Sequence, residues 1–97
     1  MKLMVCIVNN FYVENVEKQL RKKEYRMTEL ASTGGFLRKG NTTFLLGVEE
    51  QHIESLKTVI KEACLQVEQT RGKRKGNESR FTSFIVDANH GLPLLFQ

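Results

Sequence analysis

The residues best equipped for chemistry in this 97-residue sequence form one stretch, Leu30-Ala31-Ser32-Thr33-Gly34-Gly35-Phe36-Leu37-Arg38-Lys39-Gly40-Asn41-Thr42-Thr43-Phe44-Leu45-Leu46-Gly47-Val48. Gly34-Gly35 and Gly40 permit positive φ and close backbone approach, which residues with side chains resist. Between them stands the apolar pair Phe36-Leu37, followed at once by Arg38 and Lys39. A loop that only reverses the chain needs neither an apolar pair nor so many free backbone N–H groups. Successive N–H groups can form a concave nest for an anion, with Arg38, Lys39 and Asn41 beside it. The plain alternative is a hairpin loop whose glycines serve shape alone. Just upstream, Arg26 and Thr28 are two residues apart in a strand-like run, so their side chains share a face and can reach one ligand together.

The spacing Gly35-x-x-x-x-Gly40-Asn41-Thr42 imitates a phosphate-binding P-loop, but Asn41 occupies the place of the lysine. A P-loop also opens a helix whose N-terminus holds the phosphate. Here the β-branched and aromatic run Thr42-Thr43-Phe44 follows, which favours a strand. The motif is excluded.

No catalytic constellation accompanies this stretch. The serines lack a His and an acid in recognisable order, and Glu49-Glu50 is explained by the positive end of a helix dipole. Cys6 and Cys64 lie within apolar patterns and read as reduced core residues, while His52 and His90 are far apart without ligand spacing. The sequence therefore points to a binding protein, with no enzyme activity, no metal and no cofactor. Its formal net charge of +4 favours an anionic partner. No apolar run approaches the roughly 20 residues of a membrane span. The early apolar run ends at Asn9-Asn10 with no cleavage site of small residues, so a cytoplasmic location is expected.

The elements that must position these residues follow from periodicity. Leu3 to Val8 is apolar throughout, as in a strand covered on both faces or buried at an interface. Asn9-Asn10 can cap the next helix, where Val13, Val16 and Leu20 recur at helical spacing up to about Lys23. Tyr25 to Ser32 reads as the second strand and Thr42 to Val48 as the third. Ile53, Leu56, Ile60, Ala63, Cys64 and Val67 mark the buried stripe of a second helix. From Glu68 to Ser79 the composition turns to Gly, Lys, Arg, Asn and Ser, predicting a mobile basic loop about 69–79. Phe81 to Val86 is the last strand, and Leu92-Pro93-Leu94-Leu95-Phe96-Gln97 an apolar tail that must dock on something. The order βαββαβ predicts an α+β, ferredoxin-like single domain: a four-stranded antiparallel sheet with two helices on one face. Two helices leave the other face bare, and a symmetric oligomer is the usual cover.

Arg26 and Thr28, the run Thr33-Gly34-Gly35-Phe36-Leu37, and Gly40-Asn41-Thr42-Thr43-Phe44 together resemble the PII-like cyclic di-AMP receptors of Gram-positive bacteria. The resemblance runs without gaps from Met1 to about Glu68 and resumes loosely over the last strand. It implies a homotrimer whose sheets face inward, with ligands at clefts between subunits. It implies cyclic di-AMP, or a related adenine nucleotide, as ligand, and an unidentified downstream protein as partner, with neither membrane nor nucleic acid involved. Position by position it implicates Arg26 and Thr28 as polar contacts. It brings the backbone of Gly35, Phe36 and Leu37 close to phosphate or base, gives Asn41 a hydrogen bond to a phosphate, and lets Gly47 leave room for a base. Two places depart from the pattern. Glu24 stands where the family typically has an asparagine that contacts adenine, and an ionised carboxylate accepts hydrogen bonds without donating. The long loop before the last strand is shortened to Thr70-Arg71-Gly72-Lys73-Arg74-Lys75-Gly76-Asn77 and carries no aromatic residue. Two other readings remain: a trimeric interaction protein without nucleotide binding, and an RNA-binding ferredoxin-like domain. The latter lacks the exposed aromatic pair that stacks bases on such sheets.

Overall fold

Alternation along Lys2–Asn9 (β1) divides the molecule into two sides. In a computed structural model, which describes residues 2–30, 40–72 and 80–86, Met4, Cys6 and Val8 are buried in the main core cluster. Leu3 and Ile7 point the other way and stay half-exposed. β1 is central in a four-stranded sheet of order β2-β3-β1-β4. It pairs antiparallel with β3 (Asn41–Val48) in the register Leu3↔Gly47 and Cys6↔Phe44, and with β4 (Phe81–Val86) in the register Met4↔Ile85. The short β2 (Met27–Leu30) lies outside β3, with Thr28 opposite Leu45.

Two helices cover one face. Val16 and Leu20 of α1 (Val13–Lys22) and Leu56, Ile60, Ala63, Cys64 and Val67 of α2 (Ile53–Arg71) are buried against Met4, Phe44 and Leu46. Each fully buried Leu or Ile stabilises this packing by about 1.5–3 kcal/mol. Asn15 ties the helices together by donating to the Ala63 carbonyl at 2.8 Å and to Gln66 Oε1 at 3.0 Å. This is the ferredoxin-like α+β sandwich that the element order predicts.

Three local expectations change. Asn9 and Asn10 do not cap α1, whose preceding residue Tyr12 makes no side-chain cap. Asn9 Oδ1 instead accepts from the Phe11 N–H at 3.0 Å, an Asx turn, and Asn10 Oδ1 accepts from the Thr42 hydroxyl at 2.6 Å. Glu50–His52 forms a separate 3-10 turn before α2, rather than the helix's own first turn. The second helix also runs on through Glu68 to Arg71. The reason is a long-range anchor: Arg80 donates through Nε and Nη2 to both Glu68 oxygens, at 2.9 and 3.1 Å, and the buried Tyr12 hydroxyl donates to Oε2. This bidentate pair, which also raises the Arg80 pKa, clamps the last turn of α2 to the start of β4. The basic segment 73–79 and the tail 87–97 lie outside the described residues.

The opposite face, which no helix among the described residues covers, carries Leu3, Ile7, Leu45 and Phe84, the last 47% exposed, with Val5 buried between them. Thr43 is buried on this same side of the sheet, and its hydroxyl has no hydrogen-bond partner among the described residues. Leaving such a group unpaired costs about 1–3 kcal/mol.

Cys6 and Cys64 are free and buried, as expected of core thiols. Burial pushes Cys6 up to about 12 and Cys64 up to about 11, from an ordinary value of 9.0. Because the folded values are raised, their contribution to stability is whole below pH 9 and is lost as pH climbs toward 11–12. A thiol-specific reagent at pH 8 is expected to label neither cysteine in the native protein and both after denaturation. Rapid native labelling would contradict this burial.

Candidate functional site

The site begins where α1 ends. The Tyr25 N–H donates to the Leu20 carbonyl at 3.1 Å and the Glu24 N–H to the Arg21 carbonyl at 3.0 Å. These paired bonds make a Schellman turn, which requires a left-handed residue at its penultimate position. Glu24 fills that position with φ of 63°, where glycine or asparagine is the usual occupant. The turn redirects the chain sharply into Arg26 and β2, and so sets Glu24 and Arg26 at one rim.

Beneath that rim lies an open hollow of about 380 Å3. Glu24, Tyr25, Arg26 and Thr28 form its outer wall, and Leu3, Leu45 and Gly47 its floor. The floor follows from register. Leu45 and Gly47 alternate to the same face of β3, and Leu3 is the cross-strand partner of Gly47. With no side chain at Gly47, the floor is open between two leucines. Thr28 is opposite Leu45, and Arg26 immediately precedes Met27, the partner of Leu46. Arg26, Thr28 and Glu24 are exposed, and among the described residues none of their side chains has a hydrogen-bond or ion-pair partner. A guanidinium, a hydroxyl and a carboxylate thus surround an apolar floor with their bonding capacity unspent. Such a surface suits a ligand with a flat apolar face, donor groups and an anionic group.

Of the sequence-predicted site residues, the structure brings together Arg26, Thr28 and Gly47. Asn41 lies on the same strand as Gly47 but six positions away, roughly 20 Å. It pairs there with Asn9, and the neighbouring Gly40 carbonyl accepts from the Asn10 N–H at 2.9 Å. Gly35, Phe36 and Leu37 lie outside the described residues. Leu3, Tyr25 and Leu45 were not singled out by the sequence reading. Leu45 had a signal, since it sits two residues from Gly47, but Leu3 becomes adjacent only through strand pairing.

A second groove, of about 300 Å3, runs between α1 and α2. Part of its polar lining is engaged: Asn15 holds Ala63 and Gln66, and the Arg71 guanidinium lies 5.9 Å from the Phe11 ring centroid.

Comparison with known proteins decides the family. A family model described as cyclic-di-AMP receptor matches residues 1–90. The chain belongs to the cyclic-di-AMP receptor family. Among solved structures, a functionally unknown protein from Pediococcus pentosaceus ATCC 25745 is similar, with 27% sequence identity and a TM-score of 0.64. The match covers 91% of this chain and 91% of that one.

Proposed function

We propose that this chain is a PII-like signalling receptor that binds cyclic di-AMP or a related adenine nucleotide at clefts between the subunits of a homotrimer. The observation that carries the reading is the meeting of Arg26, Thr28 and Gly47 at one hollow with an apolar floor. The Arg26 guanidinium supplies charge-assisted hydrogen bonds to a phosphate oxygen. Thr28 donates or accepts beside it, and a purine face lies on Leu3 and Leu45 where Gly47 leaves space. The chain acts by binding, and the ordering of loops around the ligand is what a downstream protein reads. Gly35, Phe36 and Leu37 belong to the same proposal as contributors from the central stretch, and Asn41 as one from the start of β3.

The trimer is supported by the open face. Leu3, Ile7, Leu45 and Phe84 lie opposite the helices without a covering layer of secondary structure among the described residues. A copy of the same chain is an economical cover for such a face. It would also turn the open hollow into a cleft. Asn41 can then serve the same ligand only if a neighbouring subunit shortens the separation seen within one chain.

Titration calorimetry with a nucleotide panel at fixed salt, paired with sedimentation, tests the reading. The expected result is saturable binding of a cyclic dinucleotide to a species of three subunits. A folded monomer on dilution would overturn the intersubunit cleft. A trimer that binds no nucleotide would instead leave an interaction protein without the ligand.

A further inference from the structure

A chain of contacts fixes one cation at the groove between α1 and α2. Arg80 grips Glu68, and Glu68 also accepts from the buried Tyr12 hydroxyl. The Tyr12 ring meets the Phe11 ring edge-on, with centroids 5.0 Å apart and planes at 80°. The Arg71 guanidinium completes the chain 5.9 Å from the Phe11 centroid, within reach of a cation–π attraction. Glu68 stands one turn before Arg71 on the same helix, but it is committed to Arg80 and Tyr12. Arg71 therefore has no acidic partner among the described residues. Its guanidinium is held in place with its N–H donors unspent. Fixing a side chain beforehand lowers the entropy that binding would otherwise cost.

Lys18 lines the same groove from α1, likewise without an ion pair among the described residues, and Phe11 and Val67 give it apolar surface. One carboxylate, Glu14, stands among them, so cations outnumber it two to one. That composition separates the classes of anionic occupant. A nucleic acid or an anionic membrane presents a row of phosphates, part of which Glu14 would repel. A protein segment with one acidic residue beside an apolar one fits better. Its carboxylate meets Arg71 and Lys18, and its apolar side chain meets Phe11 and Val67. We propose that the groove between α1 and α2 docks such a segment of another protein, with Arg71 and Lys18 as its anchors. The helices that build the groove lie on the side of the sheet away from Leu3, Leu45 and Gly47, so a ligand in the hollow leaves it accessible. The inference goes beyond the nucleotide reading and does not depend on it.

The test is selection from a displayed library of random peptides on the full chain, then titration of the recovered sequence as a synthetic peptide at fixed salt. The expected consensus carries Asp or Glu next to Leu, Ile, Met or Phe. It should bind saturably and shift the backbone amide resonances of Phe11, Lys18, Val67 and Arg71. Arg71→Gln and Lys18→Gln should each weaken it about two- to fivefold, the range of a solvent-accessible ion pair, and the double replacement by about the product. Both side chains are exposed, so melting temperature should move little and loss of fold does not confuse the reading. Arg71→Glu should invert the requirement, binding the peptide better once Lys replaces its acidic residue. Peptides recovered without an acidic residue, or shifts confined to Leu3, Leu45 and Gly47, would overturn the proposal. So would an affinity unchanged by the double replacement, or a library that yields no binder. Binding of phosphatidylglycerol vesicles or RNA that is lost in Arg71→Gln, with no peptide bound, would give the groove to phosphates and overturn it as well. None of these outcomes bears on the nucleotide site.

Discussion

Arg26→Ala is expected to weaken cyclic-dinucleotide binding by at least ten- to hundredfold, the worth of about 1.5–3 kcal/mol for one charge-assisted hydrogen bond. The fold should not suffer. Arg26 is exposed, and among the described residues its side chain holds nothing in place. Calorimetry read beside thermal melting separates the two effects. Arg26→Lys should recover part of the affinity, because an ammonium keeps the charge but cannot present the planar fork of a guanidinium to a phosphate. Wild-type affinity should fall as salt rises, and the fall should flatten in Arg26→Ala once the screened contact is gone. Unchanged affinity in Arg26→Ala would take the phosphate away from this rim, and with it the site.

Phe44→Ala should have the opposite signature. Phe44 is 1% exposed, pairs with Cys6 across β1 and β3, and packs in the core cluster beneath both helices. Emptying that volume is expected to cost about 3–5 kcal/mol, transfer and cavity terms together. A domain of this size has a total stability of roughly 5–15 kcal/mol, so the variant should be close to unfolding at room temperature. Chemical denaturation would show a large drop in midpoint with little change in slope. The adjacent residue makes the contrast. Leu45 alternates to the floor of the hollow, so Leu45→Ala should weaken ligand binding and melt the protein much less. A stable Phe44→Ala protein would mean that the helix-covered face is not the principal core.

The sequence by itself determined the element order and the inward faces, because burial imposes a period that local residue types must obey. The stripe Ile53, Leu56, Ile60, Ala63, Cys64 and Val67 was legible as helix, and all of it but the half-buried first residue, Ile53, is buried. Arg26 and Thr28 were legible as neighbours and both line the hollow, although β2 starts at Met27, so the predicted strand is shorter and Arg26 stands just ahead of it. Their company was not. Leu3 reaches Gly47 only through the β1–β3 register, and the chain separates them by more than forty positions. The end of α2 was illegible for a similar reason. Glu68 to Arg71 look like the start of a basic loop until Arg80, beyond that loop, clamps Glu68 with two hydrogen bonds. Asn41 shows the converse. Its chemistry suits a phosphate and its sequence neighbours suit a loop, yet strand pairing carries it along β3 to face Asn9, away from Arg26. Residue type and spacing fix what a side chain can do and which way it faces. Pairing register, a sum over many backbone hydrogen bonds spread across the sheet, decides what it can do it with.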